Sequence, residues 1–407
     1  MPDEATDNGF PSAEEVDVDA LFAALREEIR RSGGDPGASG EPSDRLAARA
    51  EAERLWPVSA DRPLRLRPGV RGGLGTPVKA VLKKMMRWYV EPLVPTLAPD
   101  AGSGLPSVVA AEYPASPSTP GRLRAMGSAR LRPGALRRQL ERADVVHYPL
   151  TVPVPPADKP TVLTLLDVQH LDLPELFPRG ERLFRRLAYD RAARNADHVV
   201  VISDWVKDRV VARLGLDPER VHAIHLGVDH ERFSPDAGVP HEPFLLYPAR
   251  PWPHKNHARL FEAFARVREE RPHLTLVLTG VGHDADALPE GVETRGGVST
   301  DGLVSLYRRA SALVFPSLYE GFGLPPLEAM ACGCPVAASD AGSLPEVVGD
   351  AAVLFDPREP ESIAAGIWAA LDRGDELRRR GLARAAGFTW DATARAHDRI
   401  YEVAFSP

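Results

Sequence analysis

Between Leu105 and Phe355 the hydrophobic positions gather into short, near-continuous apolar runs, separated by amphipathic stretches of helical period. One series of runs covers 107–111, 143–148, 161–166, 198–203 and 221–225. A second covers 243–247, 274–280, 312–317, 336–339 and 352–355. Runs without polar alternation suit parallel strands covered on both faces by helices. Two successive strand–helix series, broken near the Pro- and acid-rich 234–243, predict an α/β protein of two Rossmann-like domains. A ligand then lies in the cleft between them, at the carboxyl ends of the strands.

The first hundred residues follow a different pattern. Residues 1–15 are polar, acidic and without periodicity, which predicts disorder. Residues 17–31 have acids first, bases last and apolar residues at helical spacing, and Ser32-Gly33-Gly34 stops the helix. A flexible linker follows at 32–44. Residues 77–94 predict a basic amphipathic helix, with Val78, Val81, Leu82, Met85 and Tyr89 on one stripe and Lys79, Lys83 and Arg87 opposite. Such a helix suits peripheral contact with an anionic membrane or packing against its own protein; both readings stand.

Length and charge narrow the function. The 407 residues suffice for two domains with real cores, and 43% hydrophobic with 26% charged residues is a globular balance. The net charge of −7 is concentrated at the start. Residues 1–20 carry seven carboxylates and no Lys or Arg, so the rest is neutral and no nucleic-acid partner is expected. Cys332 and Cys334, the only cysteines, are too few for a zinc site or a disulfide framework and read as small buried thiols. No apolar run approaches membrane-spanning length and the acidic start lacks a basic n-region, so a cytoplasmic protein is expected.

The chemistry concentrates in E-G-F-G-L-P-P-L-E, Glu320 to Glu328. Two carboxylates flank a Gly-rich turn and a proline-started helix, after the strand-like 311–317. Gly321 and Gly323 let backbone approach a ligand, and the helix start favours an anion. Solvated glutamates on an ordinary strand–turn–helix are the bland alternative. Against that stands Y-P-A-R-P-W-P-H-K-N-H (247–257), which puts Arg250 and Lys255 at another strand end of the same series. Two cations facing an anion cradle would neutralise a diphosphate, and carboxylates on either side would accept sugar and ribose hydroxyls. The D-x-D pairs Asp17/Asp19 and Asp284/Asp286 lie in the acidic leader and after Gly280, in the wrong places to hold a metal at this cluster, and His254 and His257 lack a nearby carboxylate. They read as surface or cap residues, and no metal site is expected.

These segments, with 296–310, 315–339 and 344–357, resemble family 4 retaining glycosyltransferases of the GT-B fold. In the first half, A-D-V-V-H-Y-P (143–149), D-V-Q-H-L-D-L-P-E-L-F (167–177), V-V-V-I-S-D-W-V (199–206) and R-V-H-A-I-H-L-G-V-D (220–229) are similar too. The resemblance covers about 105–407. It implies a leader with accessory helices over 1–104, an acceptor-side domain over 105–240 and a nucleotide-sugar domain over 241–388. A last helix, 389–407, would cross back to the first domain. It further implies that Arg250 and Lys255 hold the donor diphosphate and that Glu320 meets the transferred sugar. The turn of Gly321, Phe322, Gly323 and Leu324 would support sugar and phosphate, Glu328 would grip the ribose and Val298 would border the base. The donor is a nucleoside-diphosphate sugar, with mannose suggested by family likeness, and no cofactor is implied. The acceptor would be a glycan, a lipid-linked molecule or another small molecule of bacterial polysaccharide or glycoconjugate assembly.

Two departures qualify the resemblance. Where the family often has His-Asp, this chain reads Leu166-Asp167, so a donor-sugar contact passes to His170 or His147, or is vacant. The family's opening strand and Gly-rich loop have no clear counterpart. The nearest, L-R-L-R-P-G-V-R-G-G-L-G-T (64–76), would bury two arginines mid-sheet. A shortened N-terminal half is therefore expected. An active transferase, a degenerate transferase-like subunit that binds a nucleotide sugar or a protein partner without efficient turnover, and a GT-B-fold epimerase are the competing functions.

Overall fold

In the computed structural model the described residues are 94–99, 106–111, 143–149 and 158–405. The predicted helices at 17–31 and 77–94, the linker and the segment 64–76 lie outside them, apart from residue 94.

The first sheet has the order β2-β1-β3-β4-β5-β6, with β1 at Val94–Pro99, β2 at Pro106–Ala111, β3 at Val145–Tyr148, β4 at Thr161–Thr164, β5 at His198–Val201 and β6 at Val221–Ala223. Strands β3 to β6 are parallel, whereas β1 runs antiparallel to both β2 and β3. A strand at β1 was not expected. Its sequence V-P-T-L-A-P carries two prolines, which lack the N–H a ladder needs. After β4 come α1 (Gln169–Asp172), α2 (Arg179–Arg185), a π-turn (Arg186–Asp190) and α3 (Arg191–Asn195). Helix α4 (Asp204–Leu214) follows β5.

The second sheet has the order β12-β11-β10-β7-β8-β9 and is parallel throughout. Its strands are β7 (Glu242–Pro248), β8 (Thr275–Thr279), β9 (Val292–Thr294), β10 (Ala310–Phe315), β11 (Val336–Ser339) and β12 (Val353–Phe355). Between and after them run α5 (His257–Glu270), α6 (Thr300–Arg309), α7 (Leu324–Ala331), α8 (Leu344–Val348), α9 (Pro360–Asp372), α10 (Gly374–Ala386) and α11 (Trp390–Phe405). Helix α5 buries Leu260, Ala263, Phe264 and Val267, an i, i+3, i+4, i+7 stripe that fits one helix face to the sheet. Truncating Phe264 to Ala would cost about 3–5 kcal/mol. Both cysteines are buried among these core residues.

Two Rossmann-like halves thus face each other, each ending its parallel strands toward the other. Helix α11 packs on the first sheet. Its Tyr401 hydroxyl lies 2.7 Å from His147 Nδ1 on β3, whose Nε2 lies 2.7 Å from Thr164 Oγ1. At its start, Thr393 Oγ1 donates to His225 O at 2.7 Å.

Candidate active site

The segment after β7 turns tightly before α5. Trp252 N donates to Arg250 O (2.7 Å) and Lys255 N to Trp252 O (2.9 Å). Asn256 takes φ 61°, a left-handed conformation that few residues besides glycine tolerate. Its side-chain amide donates to Pro316 O (3.0 Å) and Pro357 O (2.7 Å), which ties the turn to the exits of β10 and β12. The buried Tyr247 adds a bond from its hydroxyl to Lys255 O at 2.7 Å. Lys255 is thereby aimed across the sheet end, with Nζ 2.5 Å from Glu320 Oε1; the two side chains are 15% and 14% exposed. Arg250 opens the same turn, is exposed, and lays its guanidinium 5.8 Å from the Trp252 ring centre.

Glu320 begins the turn from β10 to α7. The buried Ser343 holds this turn by donating from Oγ to Glu320 O (3.0 Å) and Phe322 O (2.8 Å). Gly321 is required by close approach: a Cβ there would stand 2.6 Å from Leu166 O of the first half. Gly323, at φ 111°, starts α7 in a conformation that only glycine adopts readily. Pro325 and Pro326 have no N–H, so the helix start presents the amides of Gly323 and Leu324, which have no partner among the described residues. Phe322 turns its ring inward, 5.8 Å from His225 and 6.0 Å from Phe388.

Glu328 lies one turn inside α7 and accepts from the Tyr307 hydroxyl at 3.2 Å. Burial pushes its carboxyl up to about 7, against the lowering effect of that hydroxyl. Val298 is partly exposed in the loop before α6, whose N-terminus Ser299 caps through Gly302 N (3.1 Å).

On the first half, Leu166 O meets the turn from β10 to α7 at Gly321, and Asp167 Oδ1 accepts from Gln169 N at 3.0 Å. Tyr319, next to Glu320, stacks edge-on against Trp205 at 4.9 Å and donates to Asp172 Oδ2 at 3.3 Å. Burial, then the charges of Asp167 and Asp172, raise its phenol above the ordinary value. His170 is only 2% exposed, with Nε2 2.9 Å from Asp190 Oδ1, and His147 is likewise buried beneath α11. Neither is open to the cleft. His254 and His257 are half-buried rather than superficial, and burial lowers both to about 4. Asp284 caps a short turn through Asp286 N (3.2 Å).

Sequence reasoning missed the residues that support this geometry: Tyr247, Asn256, Tyr307 and Ser343. Of these, Asn256 alone carried a local signal, as a left-handed-tolerant residue directly after Lys255.

Residues 229–386 match the sequence family described as glycosyl transferases group 1, and residues 71–232 match glycosyltransferase family 4. The chain is 32% identical over 255 residues to the O-antigen chain mannosyltransferase B of Escherichia coli, covering 56% of this chain and 67% of that protein. This chain belongs to glycosyltransferase family 4. The family 4 match begins at residue 71, so the likeness reaches further toward the N-terminus than the motifs from 105 onward.

A second relative of this family 4 chain is the MMP alpha-(1->4)-mannosyltransferase of Mycolicibacterium hassiacum, 32% identical over 231 residues. That match covers 53% of this chain and spans little more than half, 56%, of the relative. Among solved structures, sucrose-phosphate synthase from Thermosynechococcus elongatus superposes with a TM-score of 0.61 at 21% identity, over 76% of this chain and 86% of that one. Anabaena Alr3699/HepE in complex with UDP and glucose gives 0.54 at 19% identity, over 71% and 83%. They share the GT-B architecture of two Rossmann-like halves.

Proposed function

We propose that the chain is a retaining hexosyltransferase that moves mannose from a nucleoside-diphosphate sugar to a glycan or lipid-linked acceptor in bacterial polysaccharide or glycoconjugate assembly. The observation that carries this reading is the 2.5 Å contact between Lys255 Nζ and Glu320 Oε1 beside the Gly323 and Leu324 amides. On this reading the cation, the carboxylate and the amides are the groups that meet a sugar where it joins its diphosphate. The two mannosyltransferase relatives support the choice of sugar.

As the bond between the sugar and the diphosphate loosens, negative charge grows on the leaving diphosphate. Lys255, Arg250 and the two amides stabilise that charge without reorganising, which lowers the barrier. These side chains supply the positive charge themselves, so the proposed reaction needs no metal. Lys255, drawn to the diphosphate, frees Glu320 to accept from hydroxyls of the transferred sugar. Glu328 takes the ribose hydroxyls, Val298 borders the base, and Gly321 and Phe322 shape the turn. Asp167 faces the sugar from the first half, with His170 fixing α1 from beneath. Among the described residues no helix is long and apolar enough to cross a membrane. A cytoplasmic enzyme, touching the membrane peripherally through 77–94, is the setting proposed.

Release of nucleoside diphosphate from GDP-mannose and other nucleotide sugars, with and without chelator, tests this reading. Turnover with chelator present, and a product that keeps the anomeric configuration, is the expected result. Diphosphate binding without turnover on any donor would overturn it. That outcome would support the second reading, a degenerate transferase-like subunit that binds a nucleotide sugar or a partner without efficient turnover. Leu166, which has no polar side chain to offer the donor sugar, is the observation that favours it.

A further inference from the structure

The turn at 320–323, the donor turn of the proposed site, is tied to the first half by a side chain that lies outside the diphosphate site. Helix α4 begins with three N–H groups that have no partner within the helix. Ser203 Oγ accepts one, from Val206 N at 3.1 Å, and donates its own proton to Gly321 O at 2.8 Å. The other two point across the interface to Glu346 on α8. Asp204 N donates to Oε1 and Trp205 N to Oε2, both at 2.9 Å. His225 Nε2 lies 2.5 Å from the same Oε1. One carboxylate therefore completes a helix N-terminus that belongs to the other half of the molecule.

Helix α8 is in turn rigidly joined to the donor turn. Ser343, immediately before α8, makes the two bonds to Glu320 O and Phe322 O. Behind it, Arg384 donates to Glu346 O (2.6 Å) and Val347 O (2.9 Å). Asp204, His225 and Glu346 are close enough to hold a cation. However, two N–H dipoles already aim at both Glu346 oxygens, and the positive end of α4 favours an anion there. The arrangement is a clamp with a built-in anion.

We propose that Glu346 is a positioning residue for transfer: it clamps the N-terminus of α4 to the donor turn and so holds Glu320 and Gly321 in register against Leu166 and Asp167. This rests on the transferase reading. It separates two functions that a damaged fold would lose together. The diphosphate contacts come from the second half alone, whereas the clamp sets that half against the first. Loss of the clamp should therefore spare nucleotide binding and impair the chemical step.

The test uses the full chain with Glu346→Gln and Glu346→Ala. Gln keeps the shape and one acceptor; Ala removes both. Three measurements are compared: kcat and KM for donor turnover, Kd for the nucleoside diphosphate, and amide exchange of peptides spanning 203–206. Loss of charge-assisted bonds should lower kcat about ten-fold or more in the Ala variant and less in the Gln variant, with diphosphate Kd unchanged. Amide exchange at Asp204 and Trp205 should quicken about ten-fold or more. Unchanged exchange, or quickened exchange with wild-type kcat, would overturn the proposal. So would parallel losses of kcat and diphosphate affinity. If the Ala variant fails to fold, the Gln variant decides. A wild-type protein inactive on every donor would refute the transferase reading, and the proposal that Glu346 acts in transfer would fall with it; exchange at 203–206 would still report whether the clamp exists.

Discussion

Lys255 Nζ and Glu320 Oε1 lie 2.5 Å apart across 65 residues of sequence, each on a loop at the carboxyl end of a parallel strand. The pair is mostly shielded from water, so each group fixes the other before any ligand arrives. In the proposed site a diphosphate would compete with Glu320 for Lys255. Lys255→Ala removes a charge-assisted contact worth about 1.5–3 kcal/mol, which corresponds to about ten-fold or greater weakening of diphosphate binding. Calorimetry with the nucleoside diphosphate measures this directly, and an unaltered affinity would exclude Lys255 from the site.

Glu320 and Glu328 should separate by role. In the proposed site Glu320 precedes the turn and would meet the reacting sugar, so Glu320→Gln should lower kcat far more than donor affinity. Glu328 stands one helical turn inside α7, so Glu328→Gln should chiefly raise the Kd for the nucleotide. Equal loss of nucleotide affinity in both variants, with turnover intact, would refute the division.

The Glu328 carboxyl, raised by burial to about 7 from an ordinary 4.5, makes a pH-dependent prediction. An acid raised in the folded state favours its protonated form there. Its contribution to stability is complete below pH 4.5 and lost as pH rises through about 7. Above that, Glu328→Gln should be the more stable protein by about 3 kcal/mol, read from denaturant unfolding. The ionised carboxylate is also the better acceptor for ribose hydroxyls. Donor affinity should therefore improve between about pH 6 and 8 in the wild type and stay flat in the Gln variant.

The second sheet was legible because strands such as Thr275–Thr279 are apolar on both faces, and helices such as α5 show an unbroken stripe. The approach of Lys255 to Glu320 was legible because two motifs put opposite charges at neighbouring strand ends. What escaped was short or dispersed. β9 has three half-buried residues, V-E-T, and no apolar run. β1 reads V-P-T-L-A-P, where proline argues against a strand, yet it pairs on both sides. Ser343, Tyr307 and Glu346 are single polar residues whose partners lie 21 or more positions away. No periodicity marks them, because their role comes from tertiary contact alone.

Helix α11 supplies the last prediction. Trp390, Ala394, Tyr401 and Ala404 are buried, and His397 stacks on His147 with ring centres 5.6 Å apart. Burial lowers His397 to about 4, and burial together with the neighbouring His397 charge holds His147 well below its ordinary 6.5. Both rings are therefore folded in their neutral form. Their contribution is present above pH 6.5 and is lost as pH falls from there toward about 4. The melting temperature should drop across that window in the wild type, and less steeply in His397→Gln, whose amide can still donate to Thr393 O. Tyr401→Phe breaks the bond to His147 and should cost about 1–3 kcal/mol at neutral pH, since it leaves a buried nitrogen unpaired. Truncation after Phe388 removes the whole face and should lower both melting temperature and turnover. A truncated chain that melts and works like the intact one would mean that α11 contributes nothing to either half.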